Sequence, residues 1–390
     1  MVILLLLIVL FSVFAAIIVF SKQMQYWIFS YIKWIFTKKN SQDTDKPVDI
    51  IFCVVDHFEP SFKTKDPFIQ KERIKKWVGD YPKFANVHRD SNGYKPKHTW
   101  FFSYHDDNNG NLEDLLKLCR QGFGEIEVHL HHDHIPPYSD TSETFEKKIK
   151  DIIERSALLG IFGSDKTTGR RRFGFVHGDW ALDNSRGGKY CGINNELEIL
   201  SRCGCYADFT FPSLCESQPR KINSIYYASD DPKKPKSYNS GTDVRVGGRE
   251  NGDLMIMQGP LGLRYKKKGK IPFVAIEASN ISKTDLPISQ RIDFWIKSAI
   301  GVKGRPNWVF IKVHTHGALE DNADVLLGEH MHKMYSYLES KYNDGKKYGL
   351  HYVTAREFYN IVKAAEKGLE GNPCLYRDYV IDKPPFREAA

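Results

Sequence analysis

Several short apolar runs of this chain end in histidines and acids, and that recurrence limits its folds sharply. Asp49–Val55 runs into Asp56-His57-Phe58-Glu59, and Thr99–Tyr104 into His105-Asp106-Asp107. Ile126–His131 continues as His132-Asp133-His134, Phe173–His177 as Gly178-Asp179-Trp180, and Trp308–His314 as Thr315-His316-Gly317. Runs this short and apolar read as strands buried on both faces. Tyr206–Phe209 and Phe273–Glu277 read as two more. Helical stretches separate several of them. Asp140 with Glu143 reads as a capping box opening a helix through Leu159. Glu196–Arg202 stops at Gly204, and Thr354 with Glu357 opens Phe358–Ala365. Strands alternating with helices imply a parallel sheet, and such chains fold as α/β barrels with function at the strands' carboxyl ends.

The N-terminus reads differently. Residues 1–20 are apolar apart from Ser12, and the first charge is Lys22. A helix of about 20 apolar residues crosses a bilayer core. No basic residue precedes the run and no small-x-small cleavage site follows it, so it reads as an uncleaved anchor. Residues 23–37 interleave Tyr26, Trp27, Phe29, Tyr31, Trp34 and Phe36 with Lys33, the composition of a helix at the headgroup level. The expected organisation is a transmembrane anchor at 1–21 and an aromatic interfacial helix with a polar linker at 22–46. A barrel over 47–365 follows, with a Ser/Pro/Gly/Lys-rich insertion at 214–270, and then a C-terminal tail at 366–390. Lys22, Lys33, Lys38 and Lys39 all follow the span, so the positive-inside rule places the barrel on the cytoplasmic face of a single-pass cell-membrane protein.

Those four lysines supply half of the net charge of +8, because residues 1–42 contain no acid. The remaining +4 is too little for the basic stripe of a nucleic-acid-binding domain. No G-x-x-x-x-G-K-[ST] loop occurs, which removes the support for a nucleotide partner, and no G-x-S-x-G elbow occurs. The seven cysteines are odd in number; Cys53 and Cys119 sit in core-like runs, and Cys203, Cys205 and Cys215 read as structural thiols.

Alternation sorts the polar residues. Side chains of a strand alternate faces, so Glu127, His129 and His131 share one side, and Lys312, His314 and His316 share another. Two strands thus present paired histidines, and others present carboxylates. That combination suits a divalent metal site, whereas His330, His332 and His351 read as ordinary surface or core histidines.

The order of these motifs resembles the polysaccharide deacetylases, the NodB-homology group of the glycoside hydrolase/deacetylase barrel superfamily. Val54-Val55-Asp56-His57 stands where the family has Thr-Phe-Asp-Asp, and Glu125–His129 resembles the approach to its metal histidines. His129-Leu130-His131 followed by Ile135-Pro136-Pro137 resembles the His-x-His…Pro-Pro version of divergent members. Gly178-Asp179-Trp180 resembles the third motif, and Lys312-Val313-His314 lies where Leu-x-His falls. The resemblance spans about residues 48–360. It implies a distorted (β/α)7-type barrel and a metal-dependent hydrolase that removes N-acetyl groups from an amino-sugar polysaccharide or glycolipid. It further implies one divalent ion, zinc first, with cobalt, nickel or manganese as alternatives. The implied ligands are His57, His129 and either Asp133 or His134. Asp56 would be the general base and His314 or His316 the general acid, and His131, Asp179 and Trp180 would line the sugar site. Two alternatives share the barrel. One is a glycoside hydrolase using Asp56 with Asp179 or Asp106 as its carboxylate pair. The other is a carbohydrate-binding barrel without activity.

Overall fold

The computed structural model describes residues 2–38, 46–106, 110–133, 140–268 and 271–387. The apolar runs assemble into a mixed α/β structure around one large, mostly parallel sheet of ten strands. In chain order these are β1 (Val48–Phe58), β2 (His98–Ser103), β3 (Gly124–Leu130), β4 (Phe173–His177), β5 (Cys205–Asp208), β6 (Ile225–Ala228), β7 (Thr242–Asp243) and β8 (Leu254–Met257). A separate hairpin, β9 (Gly262–Lys268) with β10 (Ile271–Glu277), precedes the last two sheet strands, β11 (Trp308–Thr315) and β12 (Tyr348–Val353). The spatial order is β11-β1-β2-β3-β4-β5-β8-β6-β7. β1 is long enough for three parallel neighbours. β11 follows it from Asp49 to Asp56, β12 pairs with Val48–Cys53, and β2 pairs with Val54–Phe58.

Among the described residues the α-helices are α1 (Val2–Ser21), α2 (Ile28–Thr37), α3 (Pro67–Ala85), α4 (Asn111–Arg120), α5 (Ser142–Leu159), α6 (Glu196–Cys203), α7 (Ser289–Ser298), α8 (Glu320–Leu326), α9 (Glu329–Tyr342) and α10 (Ala355–Lys367). Period-two alternation splits the core between the two faces of the sheet. Ile50, Phe52, Val54 and Phe58 of β1 pack outward with Trp77 and Tyr81 of α3. Ile51, Cys53 and Val55 pack inward with Phe101, Val176, Phe310 and the α10 residues Phe358, Ile361 and Val362. α10 therefore sits inside the curl of the sheet, buried almost all round. Its start agrees with the sequence, since Thr354 and Glu357 form the expected capping box. Full burial of each large apolar side chain contributes about 1.5–3 kcal/mol.

The sheet curls far enough for its β11 side to approach the segment that follows β5. Phe310 of β11 and Phe209 beyond β5 both pack on the Phe358 ring, at 5.1 and 6.5 Å. The Lys312 ammonium, fully buried, donates to the carbonyls of Phe209 and Phe211. Residues 279–281 fill the remaining gap by pairing with His314.

Three features differ from expectation. The α5 cap is Thr141 with Thr144, one residue past Asp140, whose carboxylate instead accepts from Thr144 and Lys148. Segment 214–270 supplies β6, β7 and β8 to the main sheet, because its short apolar run Leu254–Met257 pairs parallel with β5 at Asp208. The expected strand Phe273–Glu277 belongs to the β9–β10 hairpin and not to the parallel sheet. The tail is docked on the fold: Arg377 is 5% and Ile381 0% exposed, and their carbonyls accept from Arg356 and Asn360 of α10.

α1 is a 20-residue helix without a charged residue, and its described side chains Leu5, Leu6, Leu10, Phe14 and Phe20 are exposed. Among the described residues no helix is long and apolar enough to cross a membrane. α2 packs on the body of the protein. Trp27 and Tyr31 are buried against Ile222 and Leu261, and Phe29 and Phe36 on the far side are exposed.

Candidate metal centre

The inward parity of β1, β3 and β11 brings His57, Glu59, His129, His131 and His314 to one place at the carboxyl ends of the strands. Each of these five is less than a tenth exposed. His57 is the hub: its ring lies 5.2 Å from His129, 4.7 Å from His316 and 6.0 Å from His314. Trp180 closes one side, 5.9 Å from His57 and 5.8 Å from His316.

Within this group, Glu59, His129 and His131 present ligand-type atoms within 4.8 Å of one another. Glu59 Oε1 is 2.8 Å from His131 Nε2 and 3.5 Å from His129 Nε2. The other ring nitrogen of each histidine is already engaged: His129 Nδ1 donates to the Val176 carbonyl at 3.0 Å, and His131 Nδ1 meets Asp179 Oδ2 at 3.0 Å. An acceptor at Nδ1 aims the Nε2 lone pair inward, as in histidines that bind metals. Three buried ring nitrogens here make no hydrogen bond: His57 Nε2, His129 Nε2 and His314 Nδ1. An unpaired buried polar atom costs about 1–3 kcal/mol, so three together mark a place shaped for something else to bind. The donor set of two imidazoles and one carboxylate fits a divalent transition metal.

Electrostatics divides the cluster in two. Burial, reinforced by His316, His129 and His314, holds His57 well below the usual imidazole range. Burial and Lys312 do the same to His314, and burial lowers His316. These three rings are neutral at pH 7. His131 is the opposite case: burial opposes its charge, but hydrogen bonds to Asp179 and Glu59 outweigh that and push it up to about 10. Burial likewise opposes the Glu59 charge, yet the adjacent His129 and His131 rings leave it well below the ordinary carboxylate range. Without a metal, then, an ion pair occupies the ligand positions.

The turn after β4 is strained. Asp179 and Trp180 have φ of 53° and 52°, conformations that cost about 1–3 kcal/mol each for side-chain-bearing residues. Gly178 before them has no room for a Cβ, which would lie 2.3 Å from the His131 ring. That turn holds Asp179 against His131 and Trp180 over His57.

The expected site residues separate accordingly. His57, His129, His131, Asp179, Trp180, His314 and His316 converge as described. Asp56 faces away. It lies on the outer side of β1 with Val54 and Phe58, accepts from the Gly317 N–H at 2.6 Å and meets His98 Nε2 at 2.9 Å. Neighbours on a strand point to opposite faces, which sets the Asp56 carboxylate apart from the His57 ring. Asp133 groups with His131 and Asp179 and not with Glu59 and His129. His134 lies outside the described residues. Asp106, the other carboxylate considered for a glycosidase pair, accepts from the Ser61 N–H. Glu59 was absent from the expected ligand set. Its signal was two-residue spacing from His57, which puts both on the inner face. No family model matches the chain, and no curated protein matches it.

Proposed function

We propose that the protein is a metal-dependent hydrolase acting at the carboxyl ends of a distorted (β/α)7-type barrel. The observation that carries this reading is the trio Glu59, His129 and His131, beside two further buried imidazole nitrogens that make no hydrogen bond. Glu59, His129 and His131 would hold the ion. A bound divalent ion acidifies water and polarises a carbonyl. His57, kept neutral by burial, is placed to accept a proton at Nε2. His314 and His316, beside it at the carboxyl end of β11, are placed to relay that proton to a leaving amine. Asp56 acts as a positioning residue, holding the turn that follows His316 through the Gly317 N–H. Trp180 offers a ring against which a sugar can stack.

The substrate reading, removal of N-acetyl groups from an amino-sugar glycan or glycolipid, follows the motif resemblance. The outward facing of Asp56 weighs against a glycosidase, which needs opposed carboxylates across one cleft. We propose that α1 anchors the protein in the cell membrane, with α2 at the headgroup level. Its charge-free 20 residues and the exposed Phe29 and Phe36 support this. The lysines after α1 favour a cytoplasmic barrel.

The test uses the full chain purified in detergent. Metal-dependent release of acetate from N-acetylglucosamine oligomers, lost on chelation and restored by zinc or cobalt, supports the reading. Metal binding with cleavage of the glycan chain and no acetate would turn it towards a glycosidase. No metal at the Glu59 centre would leave a carbohydrate-binding barrel.

A further inference from the structure

A second group of ligand-type side chains lies one residue beyond the first. His132 follows β3, His177 ends β4, Cys191 lies in the loop after the strained turn, and Glu196 opens α6. Their exposures are 1%, 0%, 2% and 0%. One ligand atom from each lies within 4.8 Å of the others. Glu196 Oε1 is 3.1 Å from His132 Nε2 and 3.4 Å from His177 Nε2, and Cys191 Sγ is 3.4 Å from Glu196 Oε2. Tetrahedral zinc, with bonds of about 2.0–2.3 Å, separates its ligand atoms by roughly 3.3–3.6 Å. The separations from Glu196, 3.1–3.4 Å, are close to that spacing, and all four ligand atoms lie within 4.8 Å of one another.

Independent details point the same way. The fully buried His177 Nε2 makes no hydrogen bond. His177 Nδ1 donates to the Gly178 carbonyl at 2.5 Å, which leaves Nε2 as the lone-pair nitrogen facing the group. His132 Nδ1 sits 3.7 Å from Asp140 Oδ2, and Lys148 in turn holds Asp140. The Asp183 N–H donates to Glu196 Oε2 at 2.6 Å. Thus the Gly178 carbonyl behind His177 and the Asp183 N–H behind Glu196 orient these two ligands, as outer partners do in metal sites. The Phe145 ring stacks on His132 at 4.4 Å, and His132 on His177 at 4.7 Å, which fixes the two imidazole planes.

We propose that His132, His177, Cys191 and Glu196 form a second, closed metal site that takes a borderline-soft divalent ion, zinc first. One thiolate, two imidazoles and one carboxylate suit zinc, and four buried protein ligands leave no position for water or substrate, which defines a structural site. The ion ties the ends of β3 and β4 to the start of α6. Those ends also carry His131 and the turn with Asp179 and Trp180, so the closed site braces one wall of the Glu59 centre. The assignment stands on its own residues and not on the hydrolase reading.

X-ray absorption on the zinc-loaded full chain in detergent tests it. The expected result is one sulfur neighbour at about 2.3 Å per chain. Loading with cobalt should give a thiolate charge-transfer band that Cys191→Ser abolishes and His129→Ala retains. Cys191→Ser should also weaken one zinc equivalent by at least about tenfold, and bound zinc should protect Cys191 from alkylation. A zinc shell of nitrogen and oxygen alone in the wild type overturns the proposal even if Cys191→Ser does not fold. So does a cobalt–thiolate band that survives in Cys191→Ser. One zinc per chain with a sulfur neighbour supports this site while overturning metal binding at Glu59, His129 and His131.

Discussion

Replacing His129 by alanine separates a ligand from a core residue. The ring is 1% exposed, and its loss removes one of three ligand nitrogens and oxygens together with the Nδ1–H bond to Val176. Removing that hydrogen bond costs about 1 kcal/mol, but the variant also loses the unpaired Nε2, a relief of about 1–3 kcal/mol. The two roughly offset, and the cavity left by the ring costs about 2–3 kcal/mol, so the metal-free variant should lose about that much. Metal affinity behaves differently. Outer-shell changes already cost about 10–100-fold, so a lost ligand should raise Kd by at least about 100-fold, or about 2.7 kcal/mol. At a zinc concentration of about 100 times the wild-type Kd, the ion at this centre adds about 2.7 kcal/mol in the wild type and about 0.4 kcal/mol in the variant, on top of an equal contribution in both from zinc at the closed site. Denaturant unfolding of the full chain with and without zinc, read beside metal stoichiometry, measures both terms. An unchanged zinc increment would refute the ligand assignment. A loss of 4 kcal/mol or more in metal-free protein would make His129 a packing residue.

Asp56→Asn should leave metal Kd within about threefold and the pH–rate profile unshifted, since the carboxylate holds Gly317 and not water; a lost alkaline or acidic limb would restore it as a base. Arg356→Met strands the Glu125 carboxylate, 4% exposed, inside the curl. It should cost about 3–5 kcal/mol in urea unfolding, and a loss below about 1 kcal/mol would contradict the buried pairing. Asp208 is fully buried, and burial raises its carboxyl from 3.8 to about 7. Between those values the folded chain keeps a proton that the unfolded chain releases. Its contribution is therefore full below about pH 4 and is lost as pH rises through about 7, with a slope up to about 1.4 kcal/mol per pH unit. Asp208→Asn should flatten that slope, and an unchanged stability profile would refute the assignment.

Much of the site was legible because strand alternation is a local property. The paired histidines of β3 and β11 face inward as their spacing requires, and the Thr354–Glu357 box opens α10 where expected. The same rule already separated Asp56 from His57 and joined Glu59 to it. Motif order alone, which aligned Asp56 with a catalytic base, concealed this. What periodicity could not carry was long-range pairing. Nothing within Leu254–Met257 announces β5 as its partner, and α10 has a strong helical pattern whether it lies outside a sheet or inside one. Cys191 and Glu196 look unremarkable until the ends of β3 and β4 bring His132 and His177 to them. The sequence by itself determined which way each side chain points along its own strand or helix. Only the tertiary structure decided which strands meet, because that depends on contacts between residues far apart in the chain.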